Sequence, residues 1–211
     1  MTPPISIDGT DITGATIDGT DVQEITVDGD VVFSAVNIID DFEDGNMSEY
    51  TGSGFVANTN DAVVGNFSAE LITNANGNMI YTNTPNSPTL GDQFSFFVKT
   101  GGNFGFFFDS DGPSSISSFL TGYGISFVFN NALILREIDS GNDRNESYPA
   151  LPQNQWFKFE VDFFNPLEFR AFDLSDNLVF QETFALGSVR NGDIGFYHFD
   201  QPGRFDHIVL L

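Results

Sequence analysis

The 211-residue sequence predicts an all-β fold, an antiparallel β-sandwich preceded by a small N-terminal β-repeat module. Three observations carry this prediction. From Phe157 to Phe163 apolar and polar side chains alternate with period two, as in a strand with one buried face. Gly, Asn, Asp and Pro separate such runs about every ten residues, the spacing of a sandwich, and no stretch shows a helical period. The start of the chain repeats itself. Ile7-Asp8-Gly9-Thr10-Asp11-Ile12 returns as Ile17-Asp18-Gly19-Thr20-Asp21-Val22 and, worn down, as Val27-Asp28-Gly29-Asp30-Val31-Val32.

Along the chain the repeat comes first. A fixed period marks one small unit used again and again. Each unit carries Asp-Gly, which accepts the positive φ of a two-residue hairpin turn, between strand-favouring Ile, Val and Thr. Residues 1–35 are expected to form an attachment or oligomerisation module, because they hold too little core to stand alone. Ser34-Ala35-Val36-Asn37 reads as a connector, and residues 36–211 as the sandwich. Phe94-Ser95-Phe96-Phe97-Val98 and Phe104-Gly105-Phe106-Phe107-Phe108 are almost uniformly apolar. They are expected as strands covered on both faces, joined as a hairpin through Gly101-Gly102-Asn103. Ile125, Phe127 and Phe129 alternate like a half-buried strand. Further strands are expected at Leu133-Ile134-Leu135, Leu167 to Ala171, Leu178-Val179-Phe180, Ile194 to Tyr197 and Phe205 to Leu210. The 25 phenylalanines read as filling between two large sheets.

Composition narrows function. Thirty Asp+Glu against seven Lys+Arg give a net charge of −23. Such a surface repels nucleic acid and anionic lipid, so neither is expected as a partner. Only Lys99 and Lys158 are lysines. Dense carboxylates with scarce lysine suit a halophile, where salt screens self-repulsion. They also suit an acidic extracellular domain or one rich in calcium sites. The absence of cysteine excludes disulfides, thiolate metal sites and a Cys nucleophile. No apolar run approaches the roughly 18–20 residues of a membrane helix, so no membrane insertion is expected. Met1-Thr2-Pro3-Pro4 opens neither a basic nor an apolar leader, so no signal peptide is expected.

Several short motifs resemble known families. Ile39-Asp40-Asp41-Phe42-Glu43-Asp44-Gly45 is similar to the opening strand of concanavalin A-like and carbohydrate-binding jelly-roll modules, and Phe205-Asp206-His207-Ile208-Val209-Leu210 to their closing strand. Trp156-Phe157-Lys158-Phe159-Glu160-Val161-Asp162, followed by Phe169-Arg170-Ala171-Phe172, resembles a central strand and its hairpin partner. Spanning residues 38–211, the resemblance implies a lectin-like jelly roll. It also implies a structural calcium held by Glu43 and Asp206, helped by Asp41, since a hard cation needs several oxygens at close range. Otherwise no cofactor is expected. Loops of the Asp-x-Asp-x-Asp-Gly type are absent, and the Asp-Gly repeats and Asp109-Ser110-Asp111-Gly112 read as turns.

Val22-Gln23-Glu24-Ile25-Thr26-Val27-Asp28-Gly29-Asp30-Val31-Val32-Phe33 resembles the N-terminal segment of minor structural proteins of tailed viruses. With the acidic composition, this implies a virus of a halophilic host and a chain at the virion surface, reached without a secretion signal. The expected protein is a non-enzymatic virion structural protein, a tail-fibre or receptor-binding protein that recognises a host-surface glycan or glycoprotein. Residues 1–35 would grip other virion proteins. A homo-oligomer is expected, a trimer by analogy with fibres or a pentamer at a capsid vertex. A capsid-surface spike, turret or decoration protein, and a secreted carbohydrate-binding module of a halophile, are the alternatives.

No catalytic set is expected. Jelly-roll glucanases carry Glu-x-Asp-x-x-Glu, and Glu160-Val161-Asp162-Phe163-Phe164-Asn165 lacks the last acid. His198 and His207, the latter expected to face solvent, make neither a zinc site nor a triad. Trp156, Tyr148, Tyr123, Tyr50 and the loop Gly141-Asn142-Asp143-Arg144-Asn145 are the candidates for sugar contact, and none is singled out. Asn46-Met47-Ser48, Asn66-Phe67-Ser68 and Asn145-Glu146-Ser147 match glycosylation sequons, which an Asn-rich chain produces by chance.

Overall fold

The computed structural model describes residues 6–7, 10–11, 16–17, 20–21, 24–27, 30–34, 37–48, 50–52, 55–59, 61–71, 77–81, 87–110, 122–128, 132–139, 143–190, 192–198 and 203–211. The chain divides into two compact units, residues 1–37 and 38–211.

The described residues of the first unit form three antiparallel hairpins. β1 (Ser6–Ile7) pairs β2 (Thr10–Asp11), β3 (Thr16–Ile17) pairs β4 (Thr20–Asp21), and β5 (Glu24–Val27) pairs β6 (Asp30–Ser34). The register repeats with the sequence: Ile7 faces Thr10, Ile17 faces Thr20 and Val27 faces Asp30. Two residues therefore separate the innermost pair each time, the loop length that Asp-Gly favours. The Asp-Gly pairs themselves lie outside the described residues, as do residues 35–36 of the expected connector.

The second unit is a sandwich of two antiparallel sheets. Its strands are β7 (Asn37–Asp40), β8 (Tyr50–Gly52), β9 (Phe55–Asn58), β10 (Ser68–Leu71), β11 (Gly77–Tyr81), β12 (Gln93–Lys99), β13 (Phe104–Ser110), β14 (Gly122–Val128), β15 (Ala132–Ile138), β16 (Arg144–Pro149), β17 (Trp156–Asp162), β18 (Leu167–Asp173), β19 (Leu178–Phe184), β20 (Asp193–His198) and β21 (Arg204–Leu210). An eight-stranded sheet runs β19-β18-β17-β12-β21-β10-β9, with β7 also pairing β21. A seven-stranded sheet runs β16-β15-β14-β13-β20-β11-β8. Among the described residues no helix is long and apolar enough to cross a membrane.

Between the sheets lies phenylalanine. Phe96 and Phe106 stack at 4.1 Å from opposite sheets, Phe196 and Phe205 at 4.7 Å, and Phe127 meets Phe159 edge-on at 5.6 Å. Each fully buried ring contributes about 1.5–3 kcal/mol of transfer free energy.

Three local expectations change. The apolar runs of β12 and β13 are not a hairpin. β12 pairs β17 and β21, whereas β13 pairs β14 and β20. Gly101, at φ +141°, lies where the chain crosses from one sheet to the other. Two strands so apolar each take a central place, and stacking their faces buries more ring surface than pairing their edges would. β14 is buried on both sides rather than one. Its Gly122, Gly124 and Ser126 alternate with the core side chains Tyr123, Ile125 and Phe127, and the Phe107 ring lies over Gly124. Asp109 is no solvated turn acid: it ends buried in β13 at φ 53°, and its carboxylate accepts the N–H groups of Arg190 and Gly192 at 2.8–3.2 Å.

Candidate functional site

The outer face of the larger sheet gathers the chemistry. In β17, Phe157, Phe159 and Val161 point into the core, so period two sends Trp156, Lys158, Glu160 and Asp162 outward. β18 likewise turns Glu168, Arg170 and Phe172 outward, and β12 turns out Ser95, Phe97 and Lys99. Antiparallel register aligns these in rows. Glu70, Arg204, Lys99 and Trp156 form one; Phe97, Lys158 and Phe172 the next; Ser95, Glu160, Arg170 and Gln181 a third.

Lys99, Lys158, Arg170 and Arg204 are four of the seven cations of the chain, and all stand on this face. Each is matched. Lys158 Nζ donates to Glu160 at 2.8 Å, Arg170 Nη2 to Asp162 at 2.8 Å and Arg204 Nη2 to Glu70 at 2.7 Å. Lys99 pairs with Asp61. Lys99 and Arg204, like charges directly opposite, are thus separated in effect by their own carboxylates. Trp156 donates its indole N–H to Asp61 Oδ1 at 3.2 Å. Burial raises the Asp61 carboxyl, but the hydrogen bonds from Lys99 and Trp156 outweigh it and leave the group below its ordinary value.

Asp61 belongs to a segment, residues 61–67, that joins this face to the carboxylates expected to hold calcium. Asp206 Oδ2 accepts the N–H groups of Val63 at 2.6 Å and Val64 at 3.0 Å. Glu43 Oε1 accepts those of Asn66 at 2.6 Å and Phe67 at 2.7 Å, and Asn66 Nδ2 donates to Glu43 Oε2 at 3.1 Å. A Cβ on Gly65, at φ +68°, would land on the Glu43 carboxyl. The two carboxylates therefore share one segment, and each sits beside a left-handed residue, Phe42 at φ 60° and His207 at φ 46°. Non-glycine residues hold such angles only where their surroundings impose them. A register shift between β12 and β21 accompanies His207 and turns Asp206 under cover.

Asp206 is fully buried, and its Oδ1 has no hydrogen-bond partner among the described residues. Burial pushes its carboxyl up to about 6 and the charge of Glu43 adds to this, against the N–H groups of Val64, Val63 and His207. Glu43 is held below the ordinary carboxylate range by the Phe67 and Asn66 amides. Asp41 Oδ1 accepts the Glu43 N–H at 3.1 Å. Among the described residues no three His, Cys, Asp or Glu side chains gather into a metal cluster. What a cation would meet is the orphaned Asp206 oxygen, with Glu43 close enough to repel it. His207 is half-buried rather than solvent-facing, and burial holds its imidazole below the usual value.

The other candidates separate. Tyr50 and Tyr123 lie in the core. Tyr123 binds Glu137 and the Ser188 carbonyl, each at 2.9 Å, and burial pushes its phenol up to about 12. Tyr148 packs edge-on against Phe180. Arg144 and Asn145 are not loop residues but part of β16, and Arg144 is tied to Glu137 and the Ala185 carbonyl. Asn165, where glucanases place their last acid, is exposed in the turn beyond β17. The side chain of His198 lies outside the described residues. Reading by motif missed Lys99, Arg204 and Asp61; scarce cations close to core aromatics, Lys99 three residues after Phe96 and Arg204 beside Phe205, were the available signal for the first two.

No protein-family model and no curated protein matches the sequence. Solved structures share its fold. The VIP36 exoplasmic/lumenal domain in its Ca2+/Man3GlcNAc-bound form is 9% identical and aligns over 80% of this chain and 86% of its own, at TM-score 0.52. A Bacteroides ovatus mixed-linkage glucan GH16 protein, in complex with a G4G4G3G product, is 10% identical over 82% of this chain and 98% of its own, also at 0.52. A botulinum neurotoxin type G receptor-binding domain is 13% identical over 77% of this chain at TM-score 0.45, and the chain spans only 42% of its length. The sandwich belongs to the jelly-roll architecture of lectins and glucanases.

Proposed function

We propose that residues 38–211 form a non-catalytic glycan-binding sandwich whose ligand lies on the outer face of the larger sheet. The observation that carries this reading is the row of Trp156, Lys99 and Arg204 beside Phe97 and Phe172, with every cation matched by a carboxylate. An aromatic plane flanked by fixed donors and acceptors suits the apolar face and the hydroxyl edge of a sugar. Glu160 and Asp162 are engaged by Lys158 and Arg170. That supports a binding role over acid–base chemistry, which needs one proton-bearing carboxyl and one free. VIP36 and the GH16 protein were both solved with saccharides, which agrees with a glycan ligand.

A structural calcium fits the same reading. Glu43 and Asp206, helped by Asp41, would hold it, and it would satisfy the buried Asp206 oxygen and relieve the repulsion between the two carboxylates. These residues would tie the opening segment, the closing strand and residues 61–67 together.

In the particle, residues 1–35 attach the chain, as a homo-oligomer, to other virion proteins, and the sandwich serves as a tail-fibre or receptor-binding protein of a tailed virus. The decapeptide repeat supports this placement. Mass spectrometry of purified particles checks it, and absence of the chain would refute it. For the ligand, the full chain is screened on an array of host-surface glycans. Binding that Trp156→Ala and Phe97→Ala each reduce at least about fivefold is expected, by analogy with the roughly 1–3 kcal/mol that a stacking ring contributes to holding a base. Unchanged affinity in both variants overturns the face assignment, and cleavage of a bound glycan overturns the non-catalytic reading.

A further inference from the structure

We infer that residues 61–67 act as a strap through which cation binding at Glu43 and Asp206 sets the position of Trp156 on the ligand face. The inference rests on the calcium and glycan readings above and adds a dependence of one on the other. Asp61 begins the strap, accepting the Trp156 indole N–H at 3.2 Å and pairing with Lys99. Its own carbonyl accepts the Ser68 hydroxyl at 3.2 Å, so both ends of the strap are joined to each other. The Val63 and Val64 amides hold Asp206 in its middle, and the Asn66 and Phe67 amides hold Glu43 at its far end. Gly65 lets the backbone close on Glu43 where a side chain would not fit.

Asp61 and Val63 are two residues apart, so an amide that follows Asp206 carries Asp61 with it. The Asp206 carboxylate has two oxygens with different fates: Oδ2 is held by the strap, and Oδ1 is buried with no hydrogen-bond partner among the described residues. A cation on Oδ1 draws the carboxylate, and with it the strap, toward Glu43. Asp61 is then a positioning residue for Trp156 and Lys99.

Trp156 is the sole tryptophan, so intrinsic fluorescence reports this side chain alone. The full chain is titrated with calcium chloride at constant high ionic strength, with magnesium chloride as the control for charge screening. Melting temperature and tryptophan emission are read in parallel. Calcium is expected to raise the melting temperature, shift the emission to the blue and reduce acrylamide quenching, with one half-saturation point for all three. Asp61→Ala, at a half-exposed position, is expected to keep the thermal shift and lose the fluorescence response, and Asp61→Asn, which retains an acceptor for the indole, to recover part of it. A thermal shift without any tryptophan response in the unmodified chain overturns the strap and leaves the calcium reading standing. An Asp61→Ala response equal to that of the unmodified chain does the same. If neither readout responds to calcium, the calcium reading and the strap fall together.

Discussion

Phe96 and Phe97 are neighbours in sequence and opposites in the sandwich, so truncating each to alanine tests the assignment of faces. Phe96 is fully buried. Its ring stacks on Phe106 at 4.1 Å and Phe159 at 5.5 Å and lies 6.3 Å from Phe205. Phe96→Ala removes these contacts and leaves a cavity that two rigid sheets cannot close, at a cost of about 3–5 kcal/mol. Phe97 lies opposite Lys158 on the outer face and is half-buried, so Phe97→Ala loses about half of a ring's transfer free energy, roughly 1 kcal/mol. The expected difference is about 3 kcal/mol. Urea unfolding followed by Trp156 fluorescence reads it within the sandwich, as a much lower midpoint for Phe96→Ala at unchanged slope. A lower midpoint for Phe97→Ala than for Phe96→Ala would refute the register, because a one-residue slip exchanges the two faces, and equal midpoints would refute the assigned difference in burial.

Gly65→Ala is expected to destabilise the sandwich by about 1–2 kcal/mol from the positive φ alone and to abolish the calcium-induced thermal shift by displacing Glu43, read by thermal melts with calcium and with chelator. Glu137→Gln is expected to flatten the acid limb of the stability curve. Burial raises the Glu137 carboxyl, but Arg144, Tyr123 and Ser188 outweigh burial and hold it below 4.5. Its stabilisation is therefore complete above that pH and lost as the pH falls through the folded-state value, and urea midpoints from pH 3 to 7 would show the change of slope. Melting temperature is expected to rise from millimolar to molar sodium chloride, since salt screens a net charge of −23; equal values would refute the self-repulsion argument.

Period two was strong enough to reveal β17 and β18, because each alternates large apolar side chains with charges; β21 alternates only from Arg204 to Asp206 and was visible through its resemblance to a closing strand. Period two concealed β16, where Arg144, Asn145, Glu146 and Ser147 are polar on both sides and strand structure follows from pairing with β15. β8 to β11 are short; β8, β10 and β11 pair with strands distant in sequence, and β9 is an edge strand held by β10 alone. The sheet to which a strand belongs was not legible at β12 and β13, since a glycine-rich connection serves a hairpin and a crossover equally well. At the site, Glu43 and Asp206 were visible through family resemblance, and the structure brings both onto one segment. Asp61 had no motif: its role exists only because the strap folds back over the outer face. His207 misled because alternation fails at the register shift beside it.

Charge placement ties the fold to the proposed ligand. A cation serving only to lower the net charge would sit in water. Lys99, Lys158, Arg170 and Arg204 instead keep only 16–29% of their side-chain surface exposed, each against a carboxylate. Partly desolvated charges must be paired, and pairing holds both partners in place. Counting Asp61, Glu70, Glu160, Asp162, Glu168 and the covered Asp206 against them, the face carries two excess negative charges on a chain whose surface is otherwise overwhelmingly anionic. A neutral saccharide meets ready donors and acceptors there and adds no charge. A uronate of the same size must enter the field of the whole chain and compete with carboxylates already holding every cation. Neutral glycans are therefore expected to bind more tightly than their uronate counterparts at low salt, with the preference shrinking as salt rises and the field is screened. Paired calorimetric titrations with neutral and oxidised forms of one oligosaccharide, at low and molar salt, measure this. A uronate preference at low salt would mean that the ion pairs open to receive an anion, and the matched-charge account of the face would fail.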